Sequence, residues 1–342
     1  MQADRTLFSI GVTLVSMFLG ATCLLAGGLK VATFVEQQLR SNEAAANACF
    51  SGAGITLRSR LGSNFYYLTP ASLPSAPLFS AVYAIECQMK SSPMVEEPAI
   101  HLGAWPELEY ATLSWKGKAP SILREIEPLS KLRYMCLKDT SVVCDNIKAI
   151  AECQSLQQMS FSNCRFTDDC SDGFRSLTQL RKLSDLEIIW EPYDSEIKMS
   201  RSLIESDDQK HLSDGLRSVQ WDEFSCLKHV DLGGCGVDGE VLDGIAKCST
   251  IVSLCIDGLR ADEGNFTQLA RMKSLHSLFA NDTNISEAAL EKIVSESAVR
   301  YISVERCNRV SQPFIESLSG QFRHRGLKIT NQDSRSMSLT NS

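Results

Sequence analysis

Apolar residues return along this chain at a fixed spacing. From Leu132 the first, fourth, sixth and eleventh places hold Leu132, Met135, Leu137 and Val142, with Thr140 at the ninth. A step of 24 residues brings Leu156, Met159, Phe161, Cys164 and Phe166 to the same places, and a step back brings Leu108, Ala111 and Leu113. The pattern resumes at Leu227, with Val230, Leu232, Cys235 and Val237, then at Ile251, Leu275 and Val299. Another copy, Leu183, Leu186 and Ile188, begins 27 residues after its predecessor and 44 before its successor. Alternating apolar places predict a short strand with one buried face in each unit. Candidate helix-start residues follow: Asp145, Asp168, Asp238, Asp262, Ser286 and Ser311. Their side chains can accept from the free N–H groups of a first helical turn. Amphipathic runs such as IKAIAECQSL and ALEKIVSESAV come next. One such unit cannot bury its apolar face alone, so the units must stack.

The spacing L-x-x-L-x-L-x-x-[T/C]-x-V resembles the leucine-rich-repeat family over about residues 100–330. The resemblance implies an α/β solenoid, with parallel strands on the concave face and helices on the convex face. Eight units stacked at strand spacing would extend for roughly 40 Å. It also implies that the chain binds a protein, by association rather than by any motif.

The flanking segments break the period. Leu7 to Leu29 is a run of 23 residues without a charge. At roughly 1.5 Å per residue it is long enough to cross a bilayer, and longer than the apolar core of an ordinary signal peptide. Residues 1–35 are therefore expected to hold a transmembrane helix at 7–29, with a cleaved signal as the alternative. Arg5 lies on one side and Lys30, Arg40, Arg58 and Arg60 on the other, a small bias that leaves the orientation open. Residues 36–100 read as a stalk followed by short strands, Ile55–Leu57, Phe65–Leu68 and Val82–Ile85, that cap the open end of the stack. A separate small domain is the alternative. Residues 191–226 hold either a degenerate repeat or a projecting loop and helix, and 331–342 form a polar tail.

Composition narrows the function. The chain has 342 residues with 34 Lys+Arg against 41 Asp+Glu, a net charge of -7, which argues against nucleic acid as a partner. Thirteen cysteines include no C-x-x-C, and Cys164, Cys235 and Cys307 share the ninth place. Recurrence at one structural position reads as packing in the seam between units rather than as a metal or disulfide framework. No phosphate loop, H-E-x-x-H or G-x-S-x-G occurs, and Gly233-Gly-Cys-Gly236 falls in a strand-to-helix turn. Neither a cofactor nor a metal is expected, no small-molecule substrate is evident, and the chain reads as non-enzymatic.

The third, fifth, seventh and eighth places leave the core and line the concave side. There the candidate contacts are Tyr110, Tyr134, Glu187, Trp190, His229, Asp231, Asp257, Phe279, Tyr301 and Glu305. Aromatic anchors dominate interface energetics, and carboxylates steer encounter. The sequence thus describes a single-pass, membrane-anchored scaffold that binds an unidentified protein. One rival is a substrate adaptor for a ubiquitin ligase, which would need a helical recruiting module before the repeats. The other is an enzyme with its site in 36–100 or 191–226.

Overall fold

The structure is a computed structural model that describes residues 54–61, 64–68, 81–89, 108–115, 129–190 and 207–331. Its main sheet has twelve strands. β1 (Gly54–Leu61) pairs antiparallel with both β2 (Asn64–Leu68) and β3 (Ala81–Met89). β3 then runs parallel to β4 (Tyr110–Trp115), and every later strand of the sheet joins in parallel. These are β5 (Tyr134–Lys138), β7 (Gln158–Ser162), β9 (Asp185–Ile189), β10 (His229–Asp231), β11 (Ser253–Cys255), β12 (Ser277–Phe279), β13 (Tyr301–Ser303) and β14 (Lys328–Thr330). The two remaining strands, β6 (Ser141–Val142) and β8 (Arg165–Phe166), form a small sheet at the turns. This is an α/β solenoid of stacked coils, and its sheet exceeds the eight repeat strands by β14 at one end and β1 to β3 at the other.

The places that the periodicity marks as apolar are the core. Leu132, Met135 and Leu137 are fully buried, as are Leu275, Leu278 and Ala280 five coils away, all in one continuous cluster. Phe161, Phe166 and Phe174 fill the interior of one coil with ring centroids 5.4–6.1 Å apart. The ninth place is a buried polar seam. Cys164 donates its thiol proton to the Leu137 carbonyl at 3.2 Å and Cys307 to the Ala280 carbonyl at 3.0 Å, while Cys235 reaches the Ile188 carbonyl. Each bond joins one coil to the coil before it and occupies a carbonyl that would otherwise be buried without that partner.

The eighth place carries a backbone requirement that the apolar pattern does not show. Asp139, Asn163, Gly234, Gly258, Asp282 and Arg306 all adopt positive φ, between 52° and 77°. The chain must enter the left-handed region there to leave the strand, which suits Gly, Asn and Asp. Arg306 is the exception, and its Nε donates to Asp282 Oδ2 of the neighbouring coil at 2.9 Å.

Two expectations change. First, among the described residues of the 44-residue interval there is no further strand, since β9 pairs directly with β10, and the one α-helix packs on the stack. The helix Asp207–Arg217 lies in the outer layer. A Cβ on Gly215 would come within 2.6 Å of the Phe174 ring, and Ser218 Oγ donates to the Ser171 carbonyl at 2.8 Å. The helix is thus the convex half of the coil that β9 opens. The excess length lies in 191–206, outside the described residues. Second, Asp238, Asp262, Ser286 and Ser311 do stand at helix N-caps, but Asp145 lies inside its helix and Asp168 ahead of the cap of its own. Asp168 Oδ1 instead accepts from the Cys144 amide, at the start of the previous coil's helix (Cys144–Ala151), at 2.9 Å.

The proposed span 7–29, the stalk and the tail lie outside the described residues. Among the described residues no helix is long and apolar enough to cross a membrane.

Candidate functional site

Parallel pairing without a register shift puts each repeat place into a column across the sheet. The third place aligns Tyr110, Tyr134, Gln158, Asp185, His229, Ser253, Ser277 and Tyr301. The fifth place aligns Thr112, Cys136, Ser160, Glu187, Asp231, Cys255 and Phe279. Side chains alternate along a strand, so both columns stand on the face opposite the buried leucines.

The chemistry along the columns is uneven. Tyr110 and Tyr134 pair at one end with centroids 6.3 Å apart, and Phe279 and Tyr301 at the other with centroids 5.3 Å apart. Tyr110 is 43% exposed, and Tyr134, Phe279 and Tyr301 keep part of their surface in water. Six strand steps separate Tyr134 from Tyr301, roughly 29 Å at about 4.8 Å per step. Between the aromatic pairs lie Asp185, Glu187 and Asp231, with His229 exposed beside them. Burial pushes the Glu187 carboxyl above the ordinary range, and the neighbouring Asp231 and Asp185 carboxylates push it further up. A cation brought to this strip would relieve both effects.

The ten expected contact residues divide. Tyr110, Tyr134, Glu187, His229, Asp231, Phe279 and Tyr301 share the two columns. Asp257 and Glu305 belong to the seventh place, farther along. Asp257 is committed within the fold: its oxygens accept from the Asn281 amide at 2.8 Å and from Asn281 Nδ2 at 3.0 Å. Asn281 Oδ1 in turn accepts from the Glu305 amide at 2.8 Å and from Ser303 Oγ at 2.7 Å. This ladder across three coils has no apolar signature, which is why periodicity passes over Asn281. Trp190 sits at the end of its strand, outside the columns. A Cβ on Gly234, which has φ +73°, would lie 2.6 Å from the Trp190 carbonyl, so glycine there permits the close approach of the two coils. Trp190 thus marks the exit to 191–206 rather than the centre of the face.

The seam cysteines offer no reactive thiol. Burial raises the Cys164 and Cys235 thiols well above their ordinary range, and pushes Cys153 up to about 12. Among the described residues, no group of three or more His, Cys, Asp or Glu is placed to hold a metal ion.

No family model and no curated protein matches the sequence. Among solved structures, an internalin (inlF) from Listeria monocytogenes is similar at 12% identity with a TM-score of 0.41, over 68% of this chain and 70% of that one. Internalin C2 of the same organism is similar at 16% identity with a TM-score of 0.38, over 69% and 84% of the two chains. Both are leucine-rich-repeat proteins.

Proposed function

We propose that this chain is a non-enzymatic, membrane-held scaffold that binds another protein on the concave face of its repeat sheet. One observation carries the reading. Two partly exposed aromatic pairs stand at the ends of a shared surface whose centre is acidic. Aromatic side chains held on strands are rigid, lose little entropy on contact and supply most of an interface's energy. The uncharged run Leu7–Leu29 supports the membrane part of the proposal.

The test places a photo-crosslinking side chain at Tyr134 or Phe279, on the concave face, and at Glu291, on an exposed part of the convex helix Glu287–Glu296, in intact cells. The concave probes are expected to trap one protein that the convex probe does not. Replacing Tyr110 and Tyr301 with Ala in those chains should weaken capture at least about tenfold, because buried anchors are worth about 2 kcal/mol or more each. Equal capture from both faces would reject the assignment.

A further inference from the structure

The net charge of -7 hides a separation of charge between the two long edges of the solenoid. One edge consists of the segments that lead from helix back to strand: 129–133, 152–157, 179–184, 222–228, 247–252, 271–276, 296–300 and 323–328. These hold twelve Lys and Arg against four Asp and Glu. The other edge, where strands lead to helices, consists of 138–146, 162–172, 233–240, 257–265, 281–289 and 305–313. These hold thirteen Asp and Glu against five Lys and Arg.

Helix dipoles account for part of this division, because helix C-termini favour cations. Lys273 Nζ donates to the Ala270 and Glu296 carbonyls, and Arg325 donates to the Val294 and Ser297 carbonyls. That explanation does not reach Lys182, Lys228, Arg300 and Lys328, which stand at or beside the strand starts and are exposed. None of these four makes an ion pair with a described carboxylate. By contrast, Arg306 and Arg309 on the opposite edge are paired with Asp282 and Glu263. From β9 to β14 the basic edge is therefore a row of exposed cations, with Lys182, Lys228, Arg300 and Lys328 unmatched by a described carboxylate, over six adjacent strands, roughly 24 Å long at about 4.8 Å per step. Toward β5, Arg133 is paired with Glu109 at 3.8 Å.

We infer that this edge lies against an anionic lipid surface, so that the solenoid rests edge-on to the bilayer with its concave face open to the side. The inference rests on the membrane part of the proposed function. The row spans adjacent strands at regular spacing, which suits a planar polyanion. Exposed Phe, Tyr or Trp side chains, which give single-stranded nucleic acid its stacking platform, are missing from its described residues. Twenty-four residues, 30–53, connect Leu29 to β1. A chain of that length reaches at most roughly 80 Å, and within that reach charge can set the orientation. Lys30 and Arg40 set against Arg5 leave the side of the solenoid open, and the cytoplasmic leaflet is the anionic surface that this edge would meet.

The test is a lysine-acetylation footprint of the full chain in nanodiscs, read by mass spectrometry. One disc type contains phosphatidylcholine alone, and the other about 30% phosphatidylserine. Incorporation into both discs reports residues 7–29 independently of the edge. If the chain does not incorporate, the same footprint is read with phosphatidylserine vesicles added to it. Lys228, Lys247, Lys273 and Lys328 are expected to react at least about threefold more slowly on the anionic surface, and to recover near 0.5 M salt. Lys148 and Lys292, exposed on helices, should not change. In the variant Lys182→Glu, Lys228→Glu, Arg300→Glu, the protection of Lys273 and Lys328 should vanish with folding unaltered. Equal reactivity on the two surfaces would overturn the inference. So would stronger protection by single-stranded nucleic acid in neutral discs than by phosphatidylserine.

Discussion

Trp221 tests whether residues 207–226 belong to the stack. Its side chain is 1% exposed, Nε1 donates to the Leu216 carbonyl at 3.2 Å, and the Phe224 ring lies 6.0 Å away. On the next helix, a Cβ at Gly244 would sit 2.8 Å from indole Cδ1. Replacing Trp221 with Ala removes a ring closed in on both sides, and truncations of this kind cost about 3–5 kcal/mol. The hydrogen bond adds little, because the Leu216 carbonyl also accepts from the Val219 amide at 3.3 Å. Coils in a solenoid contact only their neighbours, so the loss should also weaken the coupling between the halves. Urea unfolding followed by circular dichroism should therefore show a lower midpoint and a broadened or divided transition. The partner substitution is Gly244→Ala. In the native background its methyl meets the indole. In the Trp221→Ala background the methyl enters vacated space, and the better helix propensity of Ala, worth about 1 kcal/mol, becomes visible. A coupling of about 1 kcal/mol or more is expected from the double-mutant cycle. A loss below about 1 kcal/mol for Trp221→Ala, with additive effects, would show that the segment is a surface appendage.

Glu187→Gln tests the acidic strip. The carboxyl is raised in the fold, so its contribution to stability is present below the ordinary carboxylate range and is lost as pH rises through the raised value. The variant should melt higher than the native chain near pH 7 and equally near pH 4, and a native chain that gains stability over that interval relative to the variant would refute the argument. The seam cysteines test packing. Cys164, Cys235 and Cys307 should resist a thiol reagent until urea unfolds the chain, whereas exposed Cys226 should react at once. Cys307→Ala should cost only roughly 1–2 kcal/mol in urea unfolding, because the Ala280 carbonyl keeps the Thr283 hydroxyl at 2.8 Å.

The strands were legible in the sequence for a specific reason. The first, fourth and sixth places face the core in every coil, so each unit repeats the same burial and the register follows from alternation alone. Helix starts were less legible because capping is not confined to the local chain. Asp168 satisfies the Cys144 amide 24 residues earlier, and no local pattern distinguishes that role from capping its own helix. The long coil left two readings open in the sequence because its extra residues separate its strand from its helix. Leu212, Leu216, Val219 and Trp221 are buried, but they belong to the outer layer of the coil opened at Leu183, not to a unit of their own.

The candidate face was legible to the extent that alternation dictates which residues leave the core. What each does there depends on contacts between coils. Asp231 and Asp257 both leave the core in the repeat pattern, but their contacts differ: Asp257 takes two donors from Asn281 across the coils, whereas Asp231 Oδ1 accepts from the Gly233 amide of its own turn at 2.8 Å and lies beside Glu187 at the centre. The charge of the edges was hidden in another way. Cations and anions alternate along the chain every half repeat, so any window of one period averages toward neutrality. Winding the chain into coils superimposes the half repeats and sorts the two signs onto opposite sides. A solenoid can therefore be acidic in sum and still present a basic surface along one edge.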